Sequence, residues 1–503
     1  MEPHLDSRAR DCRMAMRHAT DYATWREAAT EFDRVTGRAE WKQDEESEHY
    51  DWKLVKNRLR QIRQLRQDGQ VAKLVHHLRQ GLYWNLGNLC NPALYGTALV
   101  GTKQLIHDYV AEVARALDYL CEGEFPEFDI AAKRRFFDET AQSYGRSALM
   151  LSGGATLGLF HVGVVKALVL EDLLPQVISG SSAGSVVAAT VGTRTQDELV
   201  DLLDPQNAYY HFWKPLGLRE MWQKGVLMDQ RQIRKAIASN VPDLTFEESY
   251  QRSGRIINIT VSPAGSNQSP RLLNYLTFPY LYLREAVLAS SAVPFLFEPV
   301  LLMTRDELGK RVPYMPSLRW TDGSLKSDLP GMRLRRLHNV NHFIVSQTNP
   351  HVIPFVRGSL EEQGLLGNIR DFGYSVVRNS AQYAIGVGRM SVPVQKVRHT
   401  LDYASSILDQ DYRGNIMILP KLTVWRYANV TANPKMDAVL RFIKEGERAT
   451  WKRIEMVRNQ VLIAQTLERC LRSLEPQRLG KVARGDAGRK PSLSVVRSKD
   501  LSS

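Results

Sequence analysis

The first residue in this sequence with the setting for covalent chemistry is a serine held between two glycines. Gly180-Ser181-Ser182-Ala183-Gly184 follows the β-like run Gln176-Val177-Ile178-Ser179 and opens a helical pattern that reaches Thr193. G-x-S-x-G between a strand and a helix is the context of a nucleophile elbow, in which glycines relieve crowding so that the serine can project. The helix N-terminus behind Ser182 favours developing negative charge. Upstream, Gly153-Gly154-Ala155-Thr156-Leu157-Gly158 also lies between a strand and a helix. Its small residues expose backbone N–H groups that can hold an oxyanion or a phosphate. A dinucleotide fingerprint would need glycine at 155, where Ala155 stands, although Glu171 or Asp172 meets its acidic position. The third feature is Trp320-Thr321-Asp322-Gly323-Ser324. Asp-Gly commonly marks a turn, yet a nucleophilic serine needs a base, and Asp322 can serve without a histidine. His338 and His342 make a Ser…Asp…His order formally available, and His161 follows the Gly-rich loop. For each of these histidines packing is the more ordinary role.

Other chemistries lack their residues. There is no HExxH, and no metal is expected. The segment from Gly96 to Lys103 resembles a phosphate loop, but its lysine falls one place late and Gln104 follows it. Cys12, Cys90, Cys121 and Cys470 are far apart and form no CxxC pair, which argues against a zinc ribbon or a disulfide framework and fits a reducing compartment.

The elements that must position these motifs can be read from periodicity. Residues 148–350 alternate β-like runs (Ala148-Leu149-Met150-Leu151, Ile256-Ile257-Asn258-Ile259, His342-Phe343-Ile344-Val345) with helical patterns such as Leu159 to Leu170, predicting a layered α/β domain. Residues 1–147 read as mainly helical. Within them Val55, Leu59, Ile62 and Leu65 fall on one helical face, and Lys53, Lys56, Arg58, Arg60, Arg63 and Arg66 crowd the rest. That helix packs on its own domain or lies on a membrane surface; in the second reading its basic face binds anionic lipid reversibly. Residues 351–472 read as mostly helical, with a strand at Ile416-Met417-Ile418-Leu419 and a helix from Met436 to Leu471. The basic segment 473–503 is expected to be disordered.

Composition narrows the class. The 503 residues are 43% hydrophobic and 24% charged, ordinary for a globular protein. A net charge of +13 favours anionic surfaces, but no nucleic-acid motif accompanies it, and nucleic acid is not an expected partner. The N-terminal residues lack an apolar leader, so an intracellular, cytoplasmic protein is expected. The longest apolar run, Ala148 to Leu170, contains glycines, His161 and Lys166, and reads as strand, turn and helix instead of a membrane span.

Taken in order, the Gly-rich loop, G-x-S-x-G and Asp-Gly resemble the patatin-like phospholipase family. Phe160-His161-Val162-Gly163, Ile178 to Gly184, Leu272-Leu273-Asn274-Tyr275, Trp320 to Ser324 with Asp328-Leu329-Pro330, and Asn341 to Gln347 are similar to its triacylglycerol-lipase branch of yeast and plants. So are Asn85-Leu86-Gly87, Gly101-Thr102-Lys103 and Gly446-Glu447-Arg448-Ala449-Thr450-Trp451, which extend the likeness from about residue 20 to 470. The resemblance implies a three-layer α/β/α domain with a mainly helical N-terminal domain and a helical C-terminal extension. It implies Ser182 as nucleophile, Asp322 as its base in a two-residue dyad, and Gly180 and Gly184 as the elbow glycines. Backbone amides of Gly153, Gly154, Ala155 and Ala183 would form the oxyanion hole. Two residues depart from the family's Gly-Gly-Gly-x-Arg-Gly loop: Ala155 replaces a glycine, presenting its N–H if its φ is negative, and Leu157 replaces the arginine. The implied substrate is an acylglycerol, chiefly triacylglycerol, with phospholipid or lysophospholipid hydrolysis, acyl transfer, or a lipid-surface-binding protein whose site is vestigial as the alternatives. The implied partner is a membrane or lipid-droplet surface reached peripherally, and no cofactor is implied. The apolar residues between Ala286 and Val300 are expected either to wall the acyl site or to pack in the core.

Overall fold

A computed structural model describes residues 3–202, 204–265, 268–350, 352–353, 414–421 and 430–485. The N-terminal region is helical, as its periodicity predicts. Helices α1 (Trp52–Gln67) and α2 (Gln104–Glu122) lie against each other. Val55, Leu59 and Ile62 of α1 are buried in the main core, so the helix packs internally. Much of its basic face is engaged within the protein. Arg66 Nε donates to Glu112 Oε1 at 2.8 Å, Arg63 lies 3.6 Å from the same carboxylate, Lys56 pairs with Glu45, and Arg58 donates to the His77 carbonyl at 2.9 Å. Burial alone would raise the Glu112 carboxyl, but hydrogen bonds from Arg66 and Arg115 outweigh it and hold it below its ordinary value. Arg66→Glu therefore tests stability: it removes this bond and sets a like charge beside a carboxylate that is 1% exposed. The expected loss is about 2 kcal/mol, read as a lower denaturation midpoint; an unchanged midpoint would contradict it. Lys103 of the phosphate-loop-like segment is buried, with Nζ donating to the Trp41 carbonyl at 2.9 Å.

The main sheet is built of strands buried on both faces. Its strands are β1 (Arg146–Leu151), β2 (Val177–Gly180), β3 (Ile256–Pro263), β4 (Arg271–Leu273), β7 (Trp320–Asp322), β8 (Val340–Ser346) and β9 (Ile416–Ile418), in a seven-stranded sheet of order β4-β3-β2-β1-β8-β9 with β7 paired to β3. β5 (Met303–Arg305) and β6 (Arg311–Pro313) form a separate hairpin. β1, β2, β3, β8 and β9 are mutually parallel, and β4 and β7 run antiparallel to β3. Leu149, Leu151, Ile178 and Ile344 join one core with the N- and C-terminal helices, and Ala148, Met150, Val177 and Phe343 join another across the sheet. Side chains alternate because the strand repeat is two, and covering both faces makes three α/β/α layers. The first core is continuous from Ala19 to Leu474.

Helix α3 (Leu159–Leu170) has the boundaries its apolar pattern predicts, and α4 (Ala183–Gly192) lies against β1, β2 and β3. The C-terminal residues correct two expectations. The single helix from Met436 to Leu471 is two, α5 (Met436–Trp451) and α6 (Ile454–Gly485). At the break Thr450 Oγ1 bonds back to the Gly446 carbonyl at 2.8 Å, a contact that bends helices. Buried Trp451 meets Trp25 with ring centroids 6.4 Å apart. The second, α6, runs past the expected boundary at 473 to Gly485, with Leu467, Cys470 and Leu474 buried along it. Most of the expected helical region between 354 and 413, and the segment 486–503, lie outside the described residues. Among the described residues, no helix is long and apolar enough to cross a membrane.

Helix α5 lies on α3 at backbone contact. A Cβ at Gly163 would fall 1.9 Å from the Ile443 carbonyl oxygen, and one at Gly446 would fall 2.1 Å from that of Phe160. Only glycine permits this approach. Beside it Lys166 Nζ pairs with Glu447 Oε1 at 2.7 Å.

Candidate active site

The chain leaves β2 at Gly180 and enters α4 at Ala183, which leaves two residues for the turn. Ser182 takes φ +50° and ψ −121°, a conformation that L-residues seldom adopt. The turn is tight enough that a Cβ at Gly180 would lie 2.3 Å from the Gly184 carbonyl oxygen. One at Gly184 would lie 2.2 Å from that of Leu151. The strained serine is fixed from both sides: its N–H donates to Ser290 Oγ at 2.9 Å, and its carbonyl accepts from Ser185 Oγ at 2.6 Å.

The Gly-rich loop crosses in front of this turn. Gly154 is pressed against Thr348, whose Oγ1 would be 2.2 Å from any Cβ there. Ala155 has φ +50°, not the negative value under which its N–H is expected to be presented, yet that N–H meets no acceptor among the described residues and stays open to the cavity. The turn Ala155–Gly158 closes through Leu157 N–H to the Gly154 carbonyl at 3.0 Å, and alanine adopts a left-handed conformation more suited to glycine. Gly153 departs from expectation in another way. Its N–H donates to Asp328 Oδ1 at 2.8 Å and is not available to an oxyanion. Among the described residues no acceptor takes the N–H of Gly154, Ala155 or Ala183.

Asp322 ends β7, where its N–H donates to the Ala292 carbonyl at 3.0 Å. Its Oδ1 accepts the Ser324 N–H at 2.7 Å, and Oδ2 is buried with no donor among the described residues. Burial pushes this carboxyl up to about 6, against the opposing influence of the Ser182 hydroxyl and of Ser324. The Ser182 hydroxyl acts on this carboxyl as a hydrogen-bonding neighbour, and such contacts commonly tighten when substrate binds. Because the folded value lies above the ordinary 3.8, the folded state keeps a proton that the unfolded chain has released. Stability contributed here therefore falls as pH rises from about 4 to about 6.

Asp328 is the residue that sequence reasoning missed. It is fully buried, and burial, reinforced by the neighbouring Asp322 charge, pushes it up to about 7. Its carboxylate holds Gly153 of the loop, while its main-chain carbonyl accepts Ser181 Oγ of the elbow at 2.7 Å. One residue thus ties three loops together. The motif Asp328-Leu329-Pro330 was visible in the sequence, but nothing local revealed those two partners. Trp213 was missed as well; its Nε1 donates to Thr156 Oγ1 at 3.0 Å, and the Thr156 N–H donates to the Val430 carbonyl at 3.0 Å, fixing the loop from outside.

A cavity of about 290 Å³ brings the parts together. Gly153, Gly154, Ala155, Ser182, Ala183 and Asp322 all line it, and Leu159, Val162, Val187, Val191, Leu199 and Ile233 are among its apolar walls. From the segment between Ala286 and Val300, Ser291, Val293 and Leu296 reach this lining, whereas Ala286, Val287 and Leu288 pack in the core. No lysine, arginine or histidine lines it among the described residues. His161 is held by Ser346 Oγ at 2.7 Å and by the Ser152 carbonyl, His338 by Asn258 at 2.9 Å, and His342 by Ser147 at 3.1 Å. Burial pushes all three down to about 4. Among the described residues no cluster of His, Cys, Asp or Glu could hold a metal ion. A hydroxyl, a buried carboxyl, unengaged amides and apolar walls are the parts needed for acyl transfer from an ester.

Comparison with known proteins places the chain among relatives. Residues 149–333 match the patatin-like phospholipase family, and residues 4–142 match a domain of unknown function, DUF3336. The chain is 35% identical over 484 residues to triacylglycerol lipase SDP1L of Arabidopsis thaliana, covering 93% of this chain and 59% of that one. It is 35% identical to triacylglycerol lipase 4 of Saccharomyces cerevisiae, covering 88% and 51%. It is 32% identical to triacylglycerol lipase ptl3 of Schizosaccharomyces pombe, covering 92% and 98%. The chain thus spans 59% and 51% of the length of the first two.

Proposed function

The chain belongs to the patatin-like phospholipase family, and from this premise we propose that it is a serine acyl hydrolase acting on triacylglycerol at a lipid surface. One observation carries the reading: the strained Ser182 shares an apolar cavity with the buried carboxyl of Asp322 and with amides that have no other acceptor. Asp322 takes the Ser182 proton as Oγ attacks an acyl carbonyl. The N–H groups of Gly154, Ala155 and Ala183 receive the oxyanion, each donor being worth about 3–4 kcal/mol in comparable chemistry. Collapse expels the glyceride alkoxide, which takes the proton back from Asp322. Water then attacks the acyl-enzyme, Asp322 accepts its proton, and fatty acid leaves as Ser182 is restored. No metal or cofactor enters the scheme.

Two facts support a neutral glyceride over a phospholipid. The three relatives are triacylglycerol lipases by name. The cavity lining carries no cation, among the described residues, to meet a phosphate. Release of fatty acid from emulsified triolein should exceed release from phosphatidylcholine vesicles by at least about tenfold, a difference of about 1.4 kcal/mol. The reverse ratio would overturn the substrate assignment.

The base has its own signature. With Asp322 pushed up to about 6, kcat/KM on a soluble short-chain ester should rise with pH through about 6 and level above it. Activity is lost on the acid side because protonated Asp322 cannot accept the Ser182 proton. A profile flat from about pH 5 to 8 would remove Asp322 from this role.

A further inference from the structure

Beside the cavity the chain makes an excursion that shows its apolar residues to water. Leu216 and Val226 are buried at its base, and an antiparallel bridge between Pro215 and Met228 closes it. Between them the short helix Leu218–Lys224 ends at Gly225 in the left-handed conformation. Leu218 and Trp222, one turn apart on this helix, are 84% and 93% exposed. Phe295 is 78% exposed and Leu227 is exposed beside it, the Leu227 N–H donating to the Phe295 carbonyl at 3.2 Å.

This patch continues the rim of the cavity. Phe212 and Trp213, just before the excursion, line the cavity, as do Val293 and Leu296 on either side of Phe295. The Met228 N–H donates to the Leu296 carbonyl at 2.9 Å, fastening excursion to rim. Phe295 has φ +68°, an outlier for a bulky residue. A strained backbone that holds a phenyl ring in water points to a use for that ring.

We infer that Leu218, Trp222, Leu227 and Phe295 are the surface by which the protein enters a phospholipid monolayer covering neutral lipid, setting the cavity mouth against its substrate. The inference rests on the reading of the cavity as an acyl-ester site. Charge chooses the occupant. Lys214, Arg219, Lys224 and Arg231 lie around the apolar tip, against Glu220, Asp229 and Glu298, with which Lys214, Lys224 and Arg231 pair, leaving the collar net basic by one charge. An apolar centre within a net basic collar is complementary to phosphate headgroups over hydrocarbon. Tryptophan is the side chain most suited to that boundary. The basic face of α1, the surface expected from sequence, lacks such a centre, because Val55, Leu59 and Ile62 of that helix are buried in the core.

The test is flotation with triolein emulsion coated in phosphatidylcholine, using Ser182→Ala protein so that binding is read without turnover. Leu218→Glu combined with Trp222→Glu should lower the bound fraction at least about tenfold, no more than the loss of one buried apolar side chain. In the Ser182 protein the same pair should lower triolein hydrolysis by a similar factor and leave hydrolysis of a soluble p-nitrophenyl ester within twofold. Phe295→Gly guards against misfolding as the cause, since it should raise the thermal midpoint by releasing strain while lowering emulsion binding. Unchanged flotation of the double variant would overturn the inference. So would a wild-type dimer that the double variant dissolves with lipid binding intact, because the patch would then seat a second copy. Flotation decides the surface even if no ester is cleaved, so failure of the proposed hydrolase reading remains separate.

Discussion

Ser182→Gly should abolish ester hydrolysis and raise the thermal midpoint in the same protein. The first effect follows from loss of the attacking oxygen. Amides and cavity walls would remain, so a residue of catalysis survives, but the rate should fall by about 10⁴-fold or more. The second effect follows from the backbone. Ser182 is held at φ +50° and ψ −121°, and strain of this kind costs on the order of 1–3 kcal/mol. Glycine reaches the same conformation without a Cβ to crowd the following carbonyl. Part of the gain is offset because glycine also frees the unfolded chain. Ser182→Ala separates the two effects: activity should fall equally while the midpoint stays close to that of the parent. Fatty-acid release and calorimetry on the three proteins measure both. An alanine variant that kept more than a hundredth of the activity would place the nucleophile elsewhere.

Gly163→Ala should be among the most destabilising single-methyl changes in this chain. The added Cβ would stand 1.9 Å from the Ile443 carbonyl oxygen and 2.8 Å from the Glu447 nitrogen. Both are main-chain atoms of α5, so no side chain can turn aside and the helices must part. A cost of about 3–5 kcal/mol is expected, the upper range for overpacking. Activity should fall with it, because α3 begins where the Gly-rich loop ends. Gly217→Ala is the control, since a Cβ there meets nothing within 4 Å. Urea denaturation midpoints, with far-ultraviolet circular dichroism as the probe, compare the two; equal midpoints would show that α3 and α5 are not locked together.

The parts of this protein that were legible in its sequence are those set by neighbours along the chain. Leu159 to Leu170 is apolar between a glycine loop and Glu171, and it became α3 with those limits. Ile416 to Leu419 is a short branched run between Asn415 and Pro420, and β9 occupies Ile416–Ile418. Ser182 was legible because its elbow is made by residues two positions away on either side. What escaped depends on partners far along the chain. The basic residues of α1 gave no sign of Glu112, which takes Arg63, Arg66 and Arg115 at once. Nothing near Asp328 points to Gly153, and nothing near Ala155 shows that its φ must be positive. The break after Trp451 contains neither proline nor glycine; it comes from a threonine bonding backward and from a tryptophan that finds Trp25. A turn is encoded locally, whereas a pairing across hundreds of positions is not.

The contact of α3 with α5 sets an order of events during synthesis. Every motif of the proposed chemistry has been synthesised once Asp328 is made, but α5 begins only at Met436. At about 5–20 residues per second, those motifs wait several seconds or longer for it. Throughout that interval α3 presents Phe160, Gly163, Val164 and Ala167 with one side of their packing absent, and Lys166 has no Glu447. Translation that stalled anywhere before α5 would release a polypeptide holding all of its chemical residues and lacking the helix that shelters them. Completion of α5 is therefore the step of synthesis that closes the packing of α3.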